Sequence, residues 1–138
     1  DSTNRCDPVE VDCGLTETIG SNIIFSELFD SQLDGESITG NGWINYIQEG
    51  SRDYEAYFSD GGNGNPSLGI SASIGSYNSN DDSTIAWLIM PEIDFDASGN
   101  ISLDCINGKG YIGFKYIGSG KEDFDGTYEI DEIIINSN

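Results

Sequence analysis

The stretch Trp87–Phe95, WLIMPEIDF, decides which fold the chain can adopt. Together with the residues before it, it contains a continuous apolar run, TIAWLIM (residues 84–90), which predicts a central strand buried on both faces. Pro91 has no N–H to donate to a sheet ladder, so strand pairing should break there. The EIDFD segment that follows alternates acidic and apolar residues, as a strand with one wet face does. A strand that is buried in its middle and half-exposed beyond a proline fits a sandwich strand that turns a corner.

The rest of the chain contains further short segments with strand character, separated by turns rich in Gly, Asn and Asp. They are residues 22–29, 43–47, 53–58, 67–75, 101–106, 110–118 and 127–136. In residues 67–75, SLGISASIG, apolar and small side chains alternate. Turn signals recur about every 8–12 residues, and no stretch has strong helical periodicity. We therefore predict an all-β sandwich or barrel of about eight or more strands over residues 22–138, after a linker or N-terminal extension at residues 1–21.

The charge of the chain is strongly one-sided. Its 138 residues include 25 acidic and 5 basic side chains, for a net charge of −20, and no histidine. Binding to nucleic acid or to an anionic membrane surface depends on Lys and Arg, so neither is expected. The acidic side chains either form a solvated surface that keeps an extracellular protein soluble, or include clusters that bind cations such as Ca²⁺. Without histidine, Ser-His-Asp and Cys-His catalytic sites are excluded within the chain.

No apolar segment reaches the roughly 18 residues that span a bilayer, so direct membrane insertion is not expected. The chain also does not open with the charged and then apolar pattern of a signal peptide.

The three cysteines have different surroundings. Cys6 and Cys13 lie in the polar N-terminal segment and could form a short disulfide loop in an oxidising compartment. The alternative is that all three are free thiols. Cys105, in ISLDCI, is predicted to be a small buried hydrophobic residue. The spacing matches no zinc-ligand pattern.

Several motifs occur in an order that resembles the choice-of-anchor J / cleaved-adhesin group of domains. They are ELFD (27–30), GW (42–43), AWLIMPEIDF (86–95), GKGYIGFKYIGSG (108–120) and YEIDEIII (128–135). Met90 stands where that group usually has Thr. The resemblance covers residues 22–136 and implies a jelly-roll β-sandwich, similar to galactose-binding and MAM domains. It also implies a secreted or cell-surface protein, such as a lipoprotein, of the kind common in Bacteroidota.

The chain departs from that group in one place. Members usually have two or three strands between the segments that correspond to PEIDF and ISL, whereas only DASGN (96–100) joins them here. Either this loop is naturally short, or strands are missing between about residues 98 and 101. The second interpretation is favoured, because a jelly roll without those strands would expose its core.

The resemblance also implies a structural calcium site. An acidic residue after the first strand, here Asp30, and the first acidic residue of the last strand, here Asp131, would share the cation. Glu27 lies two strand positions before Phe29 and could point to the same side. The residues give a separate reason, because the first and last strands of a domain tend to be neighbours and converging carboxylates need a cation or a proton. The alternative is that these are solvated charges at strand ends. The loop DGGNGN (60–65) is a weaker calcium candidate, since it lacks a closing Glu.

Aromatic residues are the other candidates for binding a ligand. Sandwich domains that bind sugars stack pyranose rings on exposed Trp or Tyr side chains. We single out Trp43, Tyr46 and Tyr57 for this role, although a core position is the stronger expectation for Trp43. Trp87 lies in the most apolar run and is expected in the core.

Two functions are consistent with the sequence. The first is a non-catalytic extracellular module that binds a glycan or a cell-surface protein, with a structural calcium ion. The second is a structural or interaction domain that docks to other proteins in a cell-surface assembly. Paired carboxylates can hydrolyse glycosides without histidine, but no motif singles out such a pair, so we do not expect an enzyme.

Overall fold

The computed structural model describes residues 22–60, 68–76, 79–94, 108–119 and 126–137, which form antiparallel β-strands and contain no helix. The strands are β1 (Asn22–Glu27), β2 (Ile44–Glu49), β3 (Glu55–Asp60), β4 (Leu68–Gly75), β5 (Thr84–Ile89), β6 (Ile93–Asp94), β7 (Lys109–Gly110), β8 (Gly113–Gly118), β9 (Thr127–Ile130) and β10 (Ile133–Ser137). The all-β prediction is thereby confirmed. None of these described ranges forms a helix that is long and apolar enough to cross a membrane.

Two three-stranded sheets, ordered β2-β5-β8 and β3-β4-β9, provide most of the ladder, and β1-β10 and β6-β7 form two-stranded sheets. The inner faces of both larger sheets contribute to one hydrophobic core, which includes Ala72 and Ile130 from one sheet and Leu88 and Tyr116 from the other. This arrangement is sandwich-like, because each sheet buries one face against the other.

Strand β5 is central, as predicted, but it is buried on one face only. Thr84, Ala86 and Leu88 are fully buried, whereas the alternate residues Ile85, Trp87 and Ile89 are half-buried on the outer face. The expectation that β5 is buried on both faces is therefore wrong, as is the core position expected for Trp87. The run looked uniformly apolar because both faces of this strand carry apolar side chains.

Strand pairing is interrupted at Pro91, as predicted. β5 ends at Ile89, β6 begins at Ile93, and Met90 N–H bonds to the carbonyl oxygen of Ile112 at 2.8 Å. Gly42 packs against the proline ring: a Cβ added there would lie 3.1 Å from Pro91 Cβ, and its φ is +85°.

The segment 127–136 was predicted as one strand and is two. β9 pairs with β4 in one sheet, whereas β10 pairs with β1 in another, and exposed Asp131 and Glu132 lie between them. Successive residues of a strand point to opposite faces, so a continuous strand would turn one of these two carboxylates toward the core. The segment 110–118 divides in the same way, with Gly110 in β7 and β8 starting at Gly113.

Two buried phenols tie distant parts of the core together. Tyr116 Oη accepts from Ser76 N at 3.1 Å and donates to the carbonyl oxygen of Gly126 at 3.0 Å. Tyr54 Oη donates to the carbonyl oxygen of Phe114 at 3.3 Å. Burial, and to a smaller extent the phenols of Tyr128 and Tyr116, raise the pKa of Tyr54 above its ordinary value.

Some predictions fall outside the described residues. They are the linker at 1–21 with Cys6 and Cys13, residues 61–65 of the DGGNGN loop, the strand at 101–106 with Cys105, and the suspected gap between 98 and 101.

Candidate functional site

A groove runs across the outer face of the β3-β4-β9 sheet, with a volume of about 360 Å³. We call it the Tyr57 groove. It is lined by Gly35, Arg52, Asp53, Glu55, Ala56, Tyr57, Ser73, Ile74, Gly75, Thr127 and Glu129.

The groove exists because the central strand of this sheet carries small side chains on its outer face. Ser73 and Gly75, which line the groove, alternate along β4 with Ala72 and Ile74, whose side chains are buried in the core. The two neighbouring strands carry longer side chains on the outer face, so the small residues of β4 form a floor between two walls. The alternation of apolar and small residues in SLGISASIG is the sequence signal for this floor.

Strand register places two carboxylates on opposite sides of that floor. Glu55 of β3 is opposite Ser73, and Ser73 is opposite Glu129 of β9, so all three side chains are on one face. Two strand spacings separate the Cα atoms of the glutamates, roughly 10 Å. Because a serine lies between them, the like charges are not direct cross-strand neighbours, which would be destabilising.

Tyr57 lies one row from this carboxylate pair on the same face. Its side chain is 49% exposed, and its cross-strand partner is Ser71, whose hydroxyl donates to the Tyr57 carbonyl oxygen at 3.4 Å. The phenol thus presents an apolar ring with a polar tip at the groove. Tyr57 is the one of the three predicted sugar-binding aromatics that lines this groove.

A loop before β2 is attached to β3 and holds the β3 side of the groove in place. Gly35 N–H bonds to the Ala56 carbonyl oxygen at 2.8 Å, and Ala56 N–H bonds to the Glu36 carbonyl oxygen at 2.8 Å. Ser37 Oγ also donates to Asp53 Oδ2 at 2.7 Å, which orients that carboxylate. Sequence reasoning missed Asp53, Glu55 and Glu129, because only the sheet register brings β3 and β9 to the same face.

Trp43, predicted as a ligand-binding aromatic, is in the core. Its side chain is 7% exposed, and its ring contacts Phe25 edge-on at 6.2 Å and Phe29 at 5.5 Å between centroids. A ring packed in this way offers no free face for stacking, so the ligand-binding assignment of Trp43 is corrected in favour of the core position.

Tyr46 is exposed but lies on the other large sheet, away from Tyr57. It is opposite Trp87, which is opposite Lys115, and all three point to the outer face of β2-β5-β8. Trp87 Nε1 donates to Gln48 Oε1 at 2.9 Å, and Lys115 Nζ lies 5.1 Å from the Trp87 ring centroid, a cation–π distance. We call this surface the Trp87 face; its members are Ile44, Tyr46, Ile85, Trp87, Ile89, Lys115 and Ile117.

The predicted calcium ligands are only partly brought together. β1 and β10 pair antiparallel with Glu27 opposite Ile133, so exposed Asp30 and Asp131 lie beyond the same end of that ladder. Glu27 is differently engaged, because Oε1 accepts from Phe29 N at 2.7 Å and Oε2 accepts from Trp43 Nε1 at 3.1 Å.

Calcium takes six to eight oxygen ligands, usually including several carboxylates. Within the described ranges, no three Asp, Glu or Cys side chains are close enough to share a metal ion. The described carboxylates therefore do not by themselves form a complete ligand set, and calcium stays a prediction.

The chain matches no known family model, no curated protein and no solved structure. The resemblance to choice-of-anchor J domains therefore depends on the sequence motifs alone.

Proposed function

We propose that this chain is a non-catalytic extracellular module that binds carbohydrate in the Tyr57 groove. The observation that carries the proposal is the groove itself: an exposed tyrosine stands beside three carboxylates and a guanidinium, over a floor of small residues. Ligand sites are typically concave, with an aromatic surface and a few convergent polar groups.

The chemistry of this lining suits a sugar. A pyranose has an apolar face formed by C–H groups and a rim of hydroxyls that both donate and accept hydrogen bonds. The Tyr57 ring can stack on the apolar face. The carboxylates can accept hydrogen bonds from the sugar hydroxyls, and the Arg52 guanidinium can donate hydrogen bonds to them. The Ser73 and Thr127 hydroxyls can do either.

Hydrolysis is not part of the proposal. A glycosidase needs one carboxyl group kept protonated, usually by an apolar pocket. Glu55 is exposed to solvent, and the charged side chains of Arg52 and Asp53 line the same groove, so the groove is not an apolar pocket. A purely binding role needs no such pocket.

The wider setting of the module is also proposed. The motifs that resemble choice-of-anchor J domains support a jelly-roll topology and a secreted or surface-anchored parent protein. The pairing of β1 with β10, which brings Asp30 and Asp131 to one end of a ladder, supports a structural calcium ion there.

Two exposed tyrosines provide a matched test. Tyr57 and Tyr46 are 49% and 52% exposed and lie on the outer faces of different sheets. A glycan array should first identify a binding glycan, and calorimetric titration should then compare the two variants. Tyr57→Ala should weaken binding about tenfold through lost stacking, and Tyr46→Ala should leave it unchanged. The proposal fails if the folded protein binds no glycan on the array, or if Tyr46→Ala alone abolishes binding.

A second candidate function, docking to another protein of a surface assembly, is favoured by the Trp87 face. Ile44 and Tyr46 of β2 are 49% and 52% exposed, and Ile117 of β8 is 67% exposed, on the two strands that flank β5. Contiguous exposed apolar side chains of this kind often mark interaction sites. If docking is the function, Tyr46→Ala and Ile117→Ser should weaken binding to the protein partner and Tyr57→Ala should not.

A further inference from the structure

We infer that the Tyr57 groove selects cationic amino sugars, that is, saccharides with free amines, over neutral N-acetylated sugars and acidic sugars. The inference rests on the proposed function, because it specifies the ligand class of the same groove.

The lining carries an excess of negative charge. It contains the carboxylates of Asp53, Glu55 and Glu129 and one guanidinium, that of Arg52, for a formal charge of −2. Its other members have no ionised side chain at neutral pH. A bound ammonium group would compensate part of this charge, whereas a uronate or a sulfate would add to it.

The position of the carboxylates fits one ammonium group on the floor. Ser73 lies between Glu55 and Glu129, about one strand spacing of roughly 5 Å from each strand. An ammonium above Ser73 would therefore be within the range at which opposite charges interact. Hydrogen bonds to charged groups are stronger than neutral ones, so this contact would distinguish an amine from an acetamide.

A metal ion is a poorer occupant of this groove than an organic cation. In the part of the chain that the structure describes, no three acidic side chains are close enough to share a metal ion, and those of this groove are no exception. The same carboxylates nevertheless line one groove of about 360 Å³, which has room for a sugar ring. Charges that are spread around a groove and not focused on one point suit a ligand that is itself extended.

The selection should be local and not a result of the overall charge of −20. At physiological ionic strength, interactions between exposed charges are largely screened beyond about 8 Å. Carboxylates in the lining act within that distance, and carboxylates elsewhere on the surface do not. Removing one charge from the groove should therefore matter more than removing one elsewhere.

The test compares oligomers of glucosamine and of N-acetylglucosamine of equal length, titrated calorimetrically into the whole chain. They differ mainly in whether the amine is free and can be protonated. The glucosamine oligomer should bind about tenfold more tightly at mildly acidic pH, where the amine is protonated. This preference should shrink as the pH rises and the amine loses its proton, and as salt is added.

Charge-neutralising variants locate the effect. Glu129→Gln and Glu55→Gln should each reduce the preference for the glucosamine oligomer several-fold. Two variants are used because one of them could fold poorly. The matched control is Glu132→Gln, since Glu132 is exposed and lies outside the groove. It removes the same charge and should leave the preference unchanged.

Three outcomes separate this inference from the proposed function. A glucosamine preference that depends on Glu129 or Glu55 supports both. Equal binding of the two oligomers, weakened alike by Tyr57→Ala, overturns the charge selection and leaves the carbohydrate module standing. Binding of neither oligomer overturns the inference, and the glycan array then decides the proposed function separately.

Discussion

Glu27 Oε2 accepts a hydrogen bond from Trp43 Nε1 at 3.1 Å, and this bond ties the end of β1 to a tryptophan of the core. The other oxygen of the same carboxylate accepts from Phe29 N–H at 2.7 Å. Phe29 has a positive φ of 57°, which is uncommon for a residue with a side chain. The carboxylate therefore stabilises a turn that directs the Phe29 ring into the core beside Trp43.

The first prediction follows from this pair of hydrogen bonds. Glu27→Gln leaves one acceptor oxygen and turns an amide NH₂ toward a donor, so one N–H loses its partner. The free energy of unfolding, measured in urea, should fall by about 1–3 kcal/mol. Asp30→Asn, at an exposed turn position, is the control in chelator and should change it by less than about 0.5 kcal/mol.

The Glu27→Gln variant also tests whether Glu27 is a calcium ligand. If Glu27 acts as a hydrogen-bond acceptor, its replacement destabilises the fold equally with excess calcium and with excess chelator. A loss seen only with calcium would instead make Glu27 a ligand and contradict the structural role.

The second prediction concerns the calcium site itself. A cation that binds only the folded chain raises its melting temperature by mass action. Calcium should therefore raise the melting temperature relative to excess chelator, and Asp30→Asn or Asp131→Asn should each abolish most of the rise. Glu132→Gln, next to Asp131 along the chain, should retain it. A wild-type melt that is identical in calcium and chelator would remove the calcium site.

Much of the fold could be predicted from local pattern, and the exposure of individual side chains could not. Pro91 and the apolar run before it located β5 and its end, because a missing N–H is a local property. The core position that is the stronger expectation for Trp43 is confirmed, whereas the core position expected for Trp87 is wrong. Trp87 is in an apolar run yet only half-buried, on the outer face of β5, and Trp43 follows a Gly-rich loop yet is 7% exposed. Whether a side chain is covered depends on elements that are distant in sequence. Phe25 and Phe29 pack against Trp43, and the residues next to Trp43 do not reveal this.

The candidate groove, too, could be predicted from the sequence only in part. The small residues of β4 were visible in the sequence as an alternation, and Tyr57 was a predicted binding residue. The sequence does not predict that Glu129 and Glu55 flank the same strand. This arrangement requires that β9 pairs with β4, and that the chain leaves this sheet at Asp131 before β10 pairs with β1.

The third prediction concerns the buried hydroxyl of Tyr116. It connects β8 to Ser76 after β4 and to Gly126 before β9. Tyr116→Phe leaves a buried N–H and a carbonyl without this partner, so the free energy of unfolding should fall by about 1–3 kcal/mol. Tyr128→Phe, at a tyrosine that is 45% exposed, should change it by less than about 0.5 kcal/mol. Equal effects of the two variants would show that the Tyr116 contacts contribute nothing specific.

The fourth prediction is a stabilising change at Thr84, on the buried face of β5 opposite Gly118. Its side chain is fully buried, and Oγ1 has no hydrogen-bond partner among the residues that the structure describes. A buried hydroxyl without a partner has lost its hydrogen bonds to water and gained none. Thr84→Val keeps the branched shape and the strand preference of the side chain while removing the unsatisfied group.

Thr84→Val should therefore raise the free energy of unfolding by about 1 kcal/mol in urea denaturation. The matched control is Thr39→Val at an exposed loop position, which should change it by less than about 0.5 kcal/mol. A loss of about 1 kcal/mol or more at Thr84 would contradict the prediction. It would mean that the hydroxyl has a partner in solution, such as a buried water molecule, that stabilises the inner face of β5.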